Sequence, residues 1–516
     1  MFLIRPLSTF GSTASIIFAL TTTAHAEITP QDVWNNWQAY AAAYGIDLTA
    51  DIARSGGKMR LANMRYVYDL SPDSGRLEMF TGATTLTANT DGTVALTLPD
   101  TARIKFILIP KTGRPTTADF TTTLKNHTLM ASGTPSTITY DFTADTLGFA
   151  FDRLTGKTPG TPFTFNLVFD TLEGSSTYTQ DDSFKITSGL SIDNTAFFLE
   201  AIMPDENYSM VGTIANIGLE TTTTLPNNGL NPLDLPAQLR AGLAFDATIT
   251  TGQSTQTTTT TMDTKTSGLS PSGNLLGTQT IKMTESNLTV TMSQTGLSVD
   301  TTTLGYAIDI PENGLPFPLH AFIGSTKSAF SIPLLADPEP QDFALTLALE
   351  NLRANDEAWA AFDPQNIFPR TPVTLSFDLA GKARVLFEFL DFRRFDQLDT
   401  RETPPVELTA LTLNSLTLFA AMAELTGTAD FTFDNTDLTT FDGIPAPQGT
   451  ADLRLSGANA LLDALVKIGL LKDGDAIGAR MAMGIFMTAG DAPDTLTSTI
   501  VINDKGHISA NGQRLK

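Results

Sequence analysis

From about residue 58 to residue 310 the hydrophobic pattern has a period of two, and this limits the chain to strands with one buried and one wet face. Val94, Leu96 and Leu98 alternate with Thr93, Ala95 and Thr97, and Ile138, Tyr140 and Phe142 with Thr137, Thr139 and Asp141. Phe163, Phe165, Leu167 and Phe169 form an apolar row, as do Leu288, Val290 and Met292, and Leu304, Tyr306, Ile308 and Ile310. Threonine fills much of the wet side. It is β-branched, so it favours extended backbone, and its hydroxyl satisfies water without a charge. The chain can therefore carry only 17% charged residues beside 41% hydrophobic ones and still present a polar face. Asn89-Thr90-Asp91-Gly92 and Asp504-Lys505-Gly506 separate such runs and read as hairpin turns.

The pattern resumes after Ala336-Asp337-Pro338-Glu339-Pro340, where two prolines interrupt any ladder. We read residues 27–335 and 336–516 as two β-rich lobes. In the second lobe, Leu345, Leu347 and Leu349 precede a short helix around Asp356 to Phe362, which stops at Asp363-Pro364. Arg370, between Pro369 and Pro372, is placed to bond Asp363 and seat Trp359 against a strand of Leu375, Phe377 and Leu379. Leu411, Leu413, Leu416 and Leu418 slip phase as at a bulge. The run of threonines at 257–261 reads as an exposed edge strand or loop tip.

Three further helices are expected. Thr29-Pro30-Gln31-Asp32 has the form of a capping box ahead of a stripe of Trp34, Trp37, Tyr40, Ala41 and Tyr44, which Gly45 ends. That stripe packs on a sheet or lines one end of an apolar groove. Asn459 and Asp475 are candidate caps for a helical hairpin over 458–488, with one stripe of Leu461, Leu462, Leu465 and Val466 and another of Ile477, Met481, Ile485 and Phe486. The plainer expectation is a lid packed on the C-terminal sheet. The other is that the methionine-rich stripe of Met481, Met483 and Met487 meets a mobile apolar ligand. The fold expected is mainly β, an α+β chain of curved antiparallel sheets with an N-terminal helix and a C-terminal helical hairpin.

The first 26 residues have the form of a secretory signal. Arg5 precedes an apolar stretch from Ala14 to Leu20, and Ala24-His25-Ala26 is an A-x-A cleavage site. This predicts a periplasmic protein, and no later apolar run reaches the ~18 residues of a membrane span. A net charge of −23 excludes a nucleic-acid partner, and the absence of cysteine excludes disulfides and thiol chemistry. No G-x-S-x-G elbow is present, and no pair of histidines has helical metal spacing. The acidic group Asp434, Asp437 and Asp442 reads as a solvated turn. No cofactor, metal or catalytic residue is predicted.

Trp359-Ala360-Ala361-Phe362-Asp363-Pro364, Pro369-Arg370-Thr371-Pro372 and Asp378-Leu379-Ala380-Gly381 resemble a W-x-x-F-D-P…P-R-x-P…D-L-x-G signature. Phe433-Asp434…Asp442-Gly443-Ile444-Pro445 with Gly449, Leu461-Leu462-Asp463-Ala464-Leu465, Asp494-Thr495-Leu496-Thr497 and Asn511-Gly512-Gln513 continue it. The chain thus resembles the Gram-negative envelope family called domain of unknown function 2125 over about residues 345–516, and matches it mainly in style before that. The family implies an envelope setting but supplies no activity or catalytic residues. A more distant likeness to AsmA-like envelope proteins implies lipid handling or outer-membrane homeostasis, with phospholipid or another envelope protein as partner. The alternative is a structural or adhesive β protein with no ligand. Trp34, Trp37, Tyr44, Trp359, Met481 and Phe486 are the candidate apolar-ligand or structural positions.

Overall fold

The computed structural model describes residues 27–516 except 71–74, 157–161, 182, 204–205, 227–228, 232–233, 263–275, 312–316, 362 and 392–403. The expected signal segment lies outside them, as does Phe362. The described chain is mainly β and antiparallel. It opens with α1 (Pro30–Ala43), whose capping box is formed: Thr29 Oγ1 accepts from Asp32 N at 3.2 Å and Asp32 Oδ2 accepts from Thr29 N at 2.9 Å.

Every described strand belongs to one sheet. β1 (Ile46–Ser55) pairs with β2 (Lys58–Asp69). The next three ranks each hold two short strands end to end: β3 (Arg76–Thr81) with β4 (Thr84–Ala88), β5 (Val94–Thr97) with β6 (Thr101–Ile109), and β7 (Thr116–Lys125) with β8 (Thr128–Thr134). Both lines meet β9 (Thr137–Thr155), the first of four long strands continued by β10 (Phe163–Gln180), β11 (Phe184–Ile202) and β12 (Asn207–Leu225). β12 is followed in the chain by α2 (Leu235–Arg240). The ranks then split again, into β13 (Ala244–Thr251) with β14 (Ser254–Thr261) and into β15 (Gly277–Met283) with β16 (Glu285–Ser293), and rejoin at β17 (Gly296–Ile310).

A meander completes the sheet: β18 (Leu319–Ile332), β19 (Gln341–Ala354), α3 (Asp356–Ala360), β20 (Val373–Val385), β21 (Val406–Ala420), β22 (Ala423–Asp434) and β23 (Ala446–Ser456). After α4 (Ala458–Lys467) and α5 (Asp473–Phe486) come β24 (Thr488–Ala489), β25 (Thr495–Ile502), β26 (Ile508–Ala510) and β27 (Gln513–Arg514), with β25 on β23. The ladder between β18 and β19 runs past the prolines at 338 and 340, so the two expected lobes share one sheet. The phase slip appears as a register shift between Leu413 and Leu416.

The sheet is curved, and α1 shows how strongly. Tyr44 is two residues from Ile46, the start of β1, yet it is hydrogen-bonded to Thr223 of β12. Ala43 O also accepts from Leu230 N, just past β12, at 2.7 Å. Along β1–β2–β4–β5–β8–β9–β10–β11–β12 these edges are eight steps apart, or ~38 Å if flat. Two residues and a tyrosine side chain bridge roughly 15 Å. The sheet therefore curls around α1, apolar face inward, and Val33 and Trp34 pack with Leu61, Leu86, Val94 and Ile138. A second cluster joins Phe184, Leu225, Leu239, Leu334 and Leu335 at the same end of the strands.

A crease crosses the long strands. Asn63, Thr171, Asn216 and Asn351 have positive φ and the pairing skips a residue beside each, while Asn126, also of positive φ, separates β7 from β8. Each irregularity reverses the parity of its strand. In β9 the apolar residues are even up to Ala144 and odd from Leu147, yet both sets lie in one cluster with Leu172 and Ile192. The face stays continuous while its strands bend. Asparagine tolerates this backbone; a β-branched residue does not. Thr171, exposed at φ 53°, therefore carries strain. Thr171→Asn is expected to stabilise the protein by about 1 kcal/mol in urea unfolding.

Three local expectations are corrected. Thr257–Thr261 is neither edge nor loop tip: β14 is paired on both sides, by β12 and β15, and Thr260 is buried. Threonines pair across the ladder, Thr257 with Thr280 at 3.2 Å and Thr259 with Thr278 at 3.3 Å. Asn459 and Asp475 are inside their helices, not at the caps. Gly457 and Lys472 occupy the cap positions, and the distant Asp494 carboxylate accepts from Asn459 N and Ala460 N. Finally, α5 is no packed lid. Its stripe faces out, with Ile477, Met481 and Ile485 more than half exposed. Contacts elsewhere hold the helix: buried Ala476, Arg480 to Asn459 and Asp463, and Phe486 O, which accepts from Ser498 Oγ at 2.6 Å.

Candidate functional site

The candidate site is the apolar face of the sheet, which curls around α1 at one end and is met by the end of α5 at the other, where Phe486 O accepts from buried Ser498. Under α1 the face is a sealed core. Tyr40, Tyr140 and Tyr178 meet edge to face with ring centroids 5.3 Å apart in both pairs, and Tyr140 Oη donates to Asn36 Oδ1 at 2.9 Å. Burial pushes the Tyr44 and Tyr178 hydroxyls up to about 12 and raises Tyr140 as well, so all three stay neutral.

Beyond the crease, Phe106, Phe120, Phe151 and Phe163 form a chain with successive centroid distances of 5.8, 5.4 and 5.2 Å. None of the four is buried, and Phe163 is exposed.

The face continues over β19–β25. Cross-strand register sets Leu349, Leu375, Leu418, Leu425, Leu455 and Leu496 side by side. The neighbouring rank is Leu347, Phe377, Leu416, Gly427 and Leu453. A third runs Leu345, Leu379, Leu413, Ala429, Ala451 and Ile500. Over β20–β25 the residues between the first two ranks point to the other side and are hydrophilic: Ser376, Thr417, Thr426, Arg454 and Thr497. No leucine of this field is buried; Leu347, Leu375 and Leu418 are 37%, 41% and 39% exposed. Gly381 has no side chain where the Phe343 ring crosses it, since a Cβ there would stand 2.4 Å from Phe343 Cζ. α4 meets only the rim, with Gly457 against Met422 O. Soluble proteins rarely leave so extended an apolar field open unless something binds it.

The structure distributes the predicted residues over three places. Trp34 is 3% exposed and belongs to the core with half-buried Trp37, and Tyr44 adjoins the cluster at α2. Trp359 lies at the corner between β19 and β20, where the Arg370 guanidinium stands 4.8 Å from its ring and bonds Asp363 at 3.0 Å. The residue sealing that corner is Phe368, 5% exposed, while Trp359 is half-buried. Met481 and Phe486 are exposed on α5 beside β25. The leucine field was not among the predicted positions. Its signal was the L-x-L rows, but only the register shows that they align.

Polar chemistry is local. Burial of the Asp363 carboxyl opposes its ionisation, but the N–H groups of Ile367 and Phe368 and the Arg370 guanidinium outweigh this and hold it below the usual carboxylate value. A carboxyl lowered by folding stabilises above its unfolded value and loses this as pH falls through the folded one. Asp363→Asn should lower the urea midpoint at neutral pH, with the gap to the parent protein closing as acid titrates the carboxyl. Asp437 is held at about 2 by accepting from Thr440 and Thr439, so with Asp434 it forms capped turns. Among the described residues no group of three or more His, Asp or Glu is placed to hold a metal ion. A dip of about 640 Å³ on the hydrophilic face, where Gly189 and Gly218 lack side chains, is lined by Asp141, Glu173 and Glu220 and by no cation. Among the described residues no helix is long and apolar enough to cross a membrane. Compared with protein-family models, curated proteins and solved structures, the chain finds no match in any of the three.

Proposed function

We propose that this chain is a non-catalytic periplasmic protein that carries phospholipid, with the acyl chains lying on the leucine field of β19–β25. One observation supports this above all: an apolar face, filled by α1 where the sheet curls around it, continues over β19–β25 with its leucines unburied. Acyl chains need area and flexibility more than directional bonds, and rows of leucine over a polar-backed sheet provide both. The resemblance to the 2125 envelope family and the secretory form of residues 1–26 agree with such a setting.

The test is solvent extraction and mass spectrometry of protein purified without detergent, followed by uptake of a fluorescent fatty acid by the stripped protein. We expect phospholipid in the extract and saturable uptake. Empty protein that takes up no probe favours the structural or adhesive alternative.

A further inference from the structure

The outward stripe of α5 has no function in the fold. At 100° per residue, Ile477, Met481 and Ile485 share one arc of the helix with Gly474, Gly478 and Gly484. A Cβ at any of the three glycines would meet open space, and Ile477, Met481 and Ile485 are 57%, 69% and 56% exposed. Leu470, in the turn leading to α5, is 66% exposed and Phe486, at its end, 47%. The arc carries no charge.

The charge of the hairpin is also unlike that of the chain. Over residues 458–487, Asp463, Asp473 and Asp475 are balanced by Lys467, Lys472 and Arg480, whereas the whole chain is −23. An acidic protein is repelled by anionic surfaces and gains nothing electrostatically from neutral ones. A neutral hairpin with an apolar arc suits a zwitterionic lipid surface, into which such a helix sinks by its apolar side. A second copy of the chain is a poor occupant. α5 is 14 residues long, or ~21 Å, and two such stripes pressed together cover a few hundred Å², below the roughly 800 Å² per partner of a stable interface.

We propose that α5 is a membrane-docking element that lays Ile477, Met481 and Ile485 into a zwitterionic phospholipid surface beside the rim of the leucine field. The proposal rests on the carrier reading for its purpose, but its test is independent. The mature protein is floated with phosphatidylcholine vesicles, and with vesicles containing phosphatidylglycerol, at low and high salt. Bound phospholipid is measured in the same protein before mixing.

The parent protein should float with phosphatidylcholine at both salt concentrations and less with the anionic vesicles. Ile477→Glu with Met481→Glu should reduce flotation at least about tenfold. Both side chains are exposed, so circular dichroism and the lipid load should not change; Ile477→Ser with Met481→Ser is the milder pair should the charges disturb folding. Docking is overturned if the parent protein fails to float, if both pairs float as well as the parent, or if flotation needs anionic lipid and disappears in salt. It is also overturned if sedimentation shows a dimer of the parent that the variants lose. An empty parent protein that takes up no fatty-acid probe yet still floats refutes the carrier reading and leaves docking standing.

Discussion

Trp34→Ala is expected to lower the free energy of unfolding by about 3–5 kcal/mol, the range for deleting a buried large aromatic. The side chain is 3% exposed, and α1 uses it to fill the inside of the curl with Val33, Leu61 and Leu86. Among the described residues no second layer lies behind those strands to close the cavity. The measurement is a urea melt followed by tryptophan fluorescence, with Trp359→Ala as comparison. Trp359 is half-buried and stacked on Arg370, so its removal should cost clearly less. Equal losses would mean that α1 does not organise the curl.

The second large effect is on binding. Leu375 and Leu418 are direct cross-strand partners, both exposed, in the middle of the leucine field. Leu375→Asp with Leu418→Asp should leave the melting curve nearly unchanged, because neither side chain is in a sealed core. It should lower the phospholipid load at least about tenfold, since an ionised carboxylate under an acyl chain costs several kcal/mol. A double variant that keeps its lipid would remove the leucine field from the carrier reading.

Strands were legible because the period-two rows are long and threonine marks their wet side. The Thr29 box, the turn at Asn89 to Gly92, the Leu413 slip and the Arg370–Asp363 pair were legible because each is a contact within a few residues or a break in a local pattern. What the sequence did not show is set by partners far along the chain. Thr257–Thr261 looked like an edge, since nothing local states that β12 and β15 flank it. Asn459 looked like a cap, because the carboxylate that caps α4 belongs to Asp494. Met481 and Phe486 looked like a packed stripe because a helix normally hides such a stripe, and only the placement of α5 leaves it outside. Trp34 was named as a candidate for a ligand because composition cannot separate a ring that fills a core from one that lines a groove.

Among the described residues no strand pairs with one more than three places away in chain order. Such a chain behaves as a one-dimensional array, in which stability is roughly a sum of neighbouring terms and assembly can start at any hairpin and spread. Its contacts are local for an all-β protein, so folding should be quick for its size. The same wiring makes length a free variable. Duplicating one hairpin of the β18–β23 meander adds two ranks, or ~10 Å, to the apolar face without crossing any existing connection. Deleting one shortens the face and leaves the α1 end intact. Relatives of this chain should therefore differ by whole hairpins, with the helix-filled curl kept as the fixed end and the extent of the apolar face set by strand number.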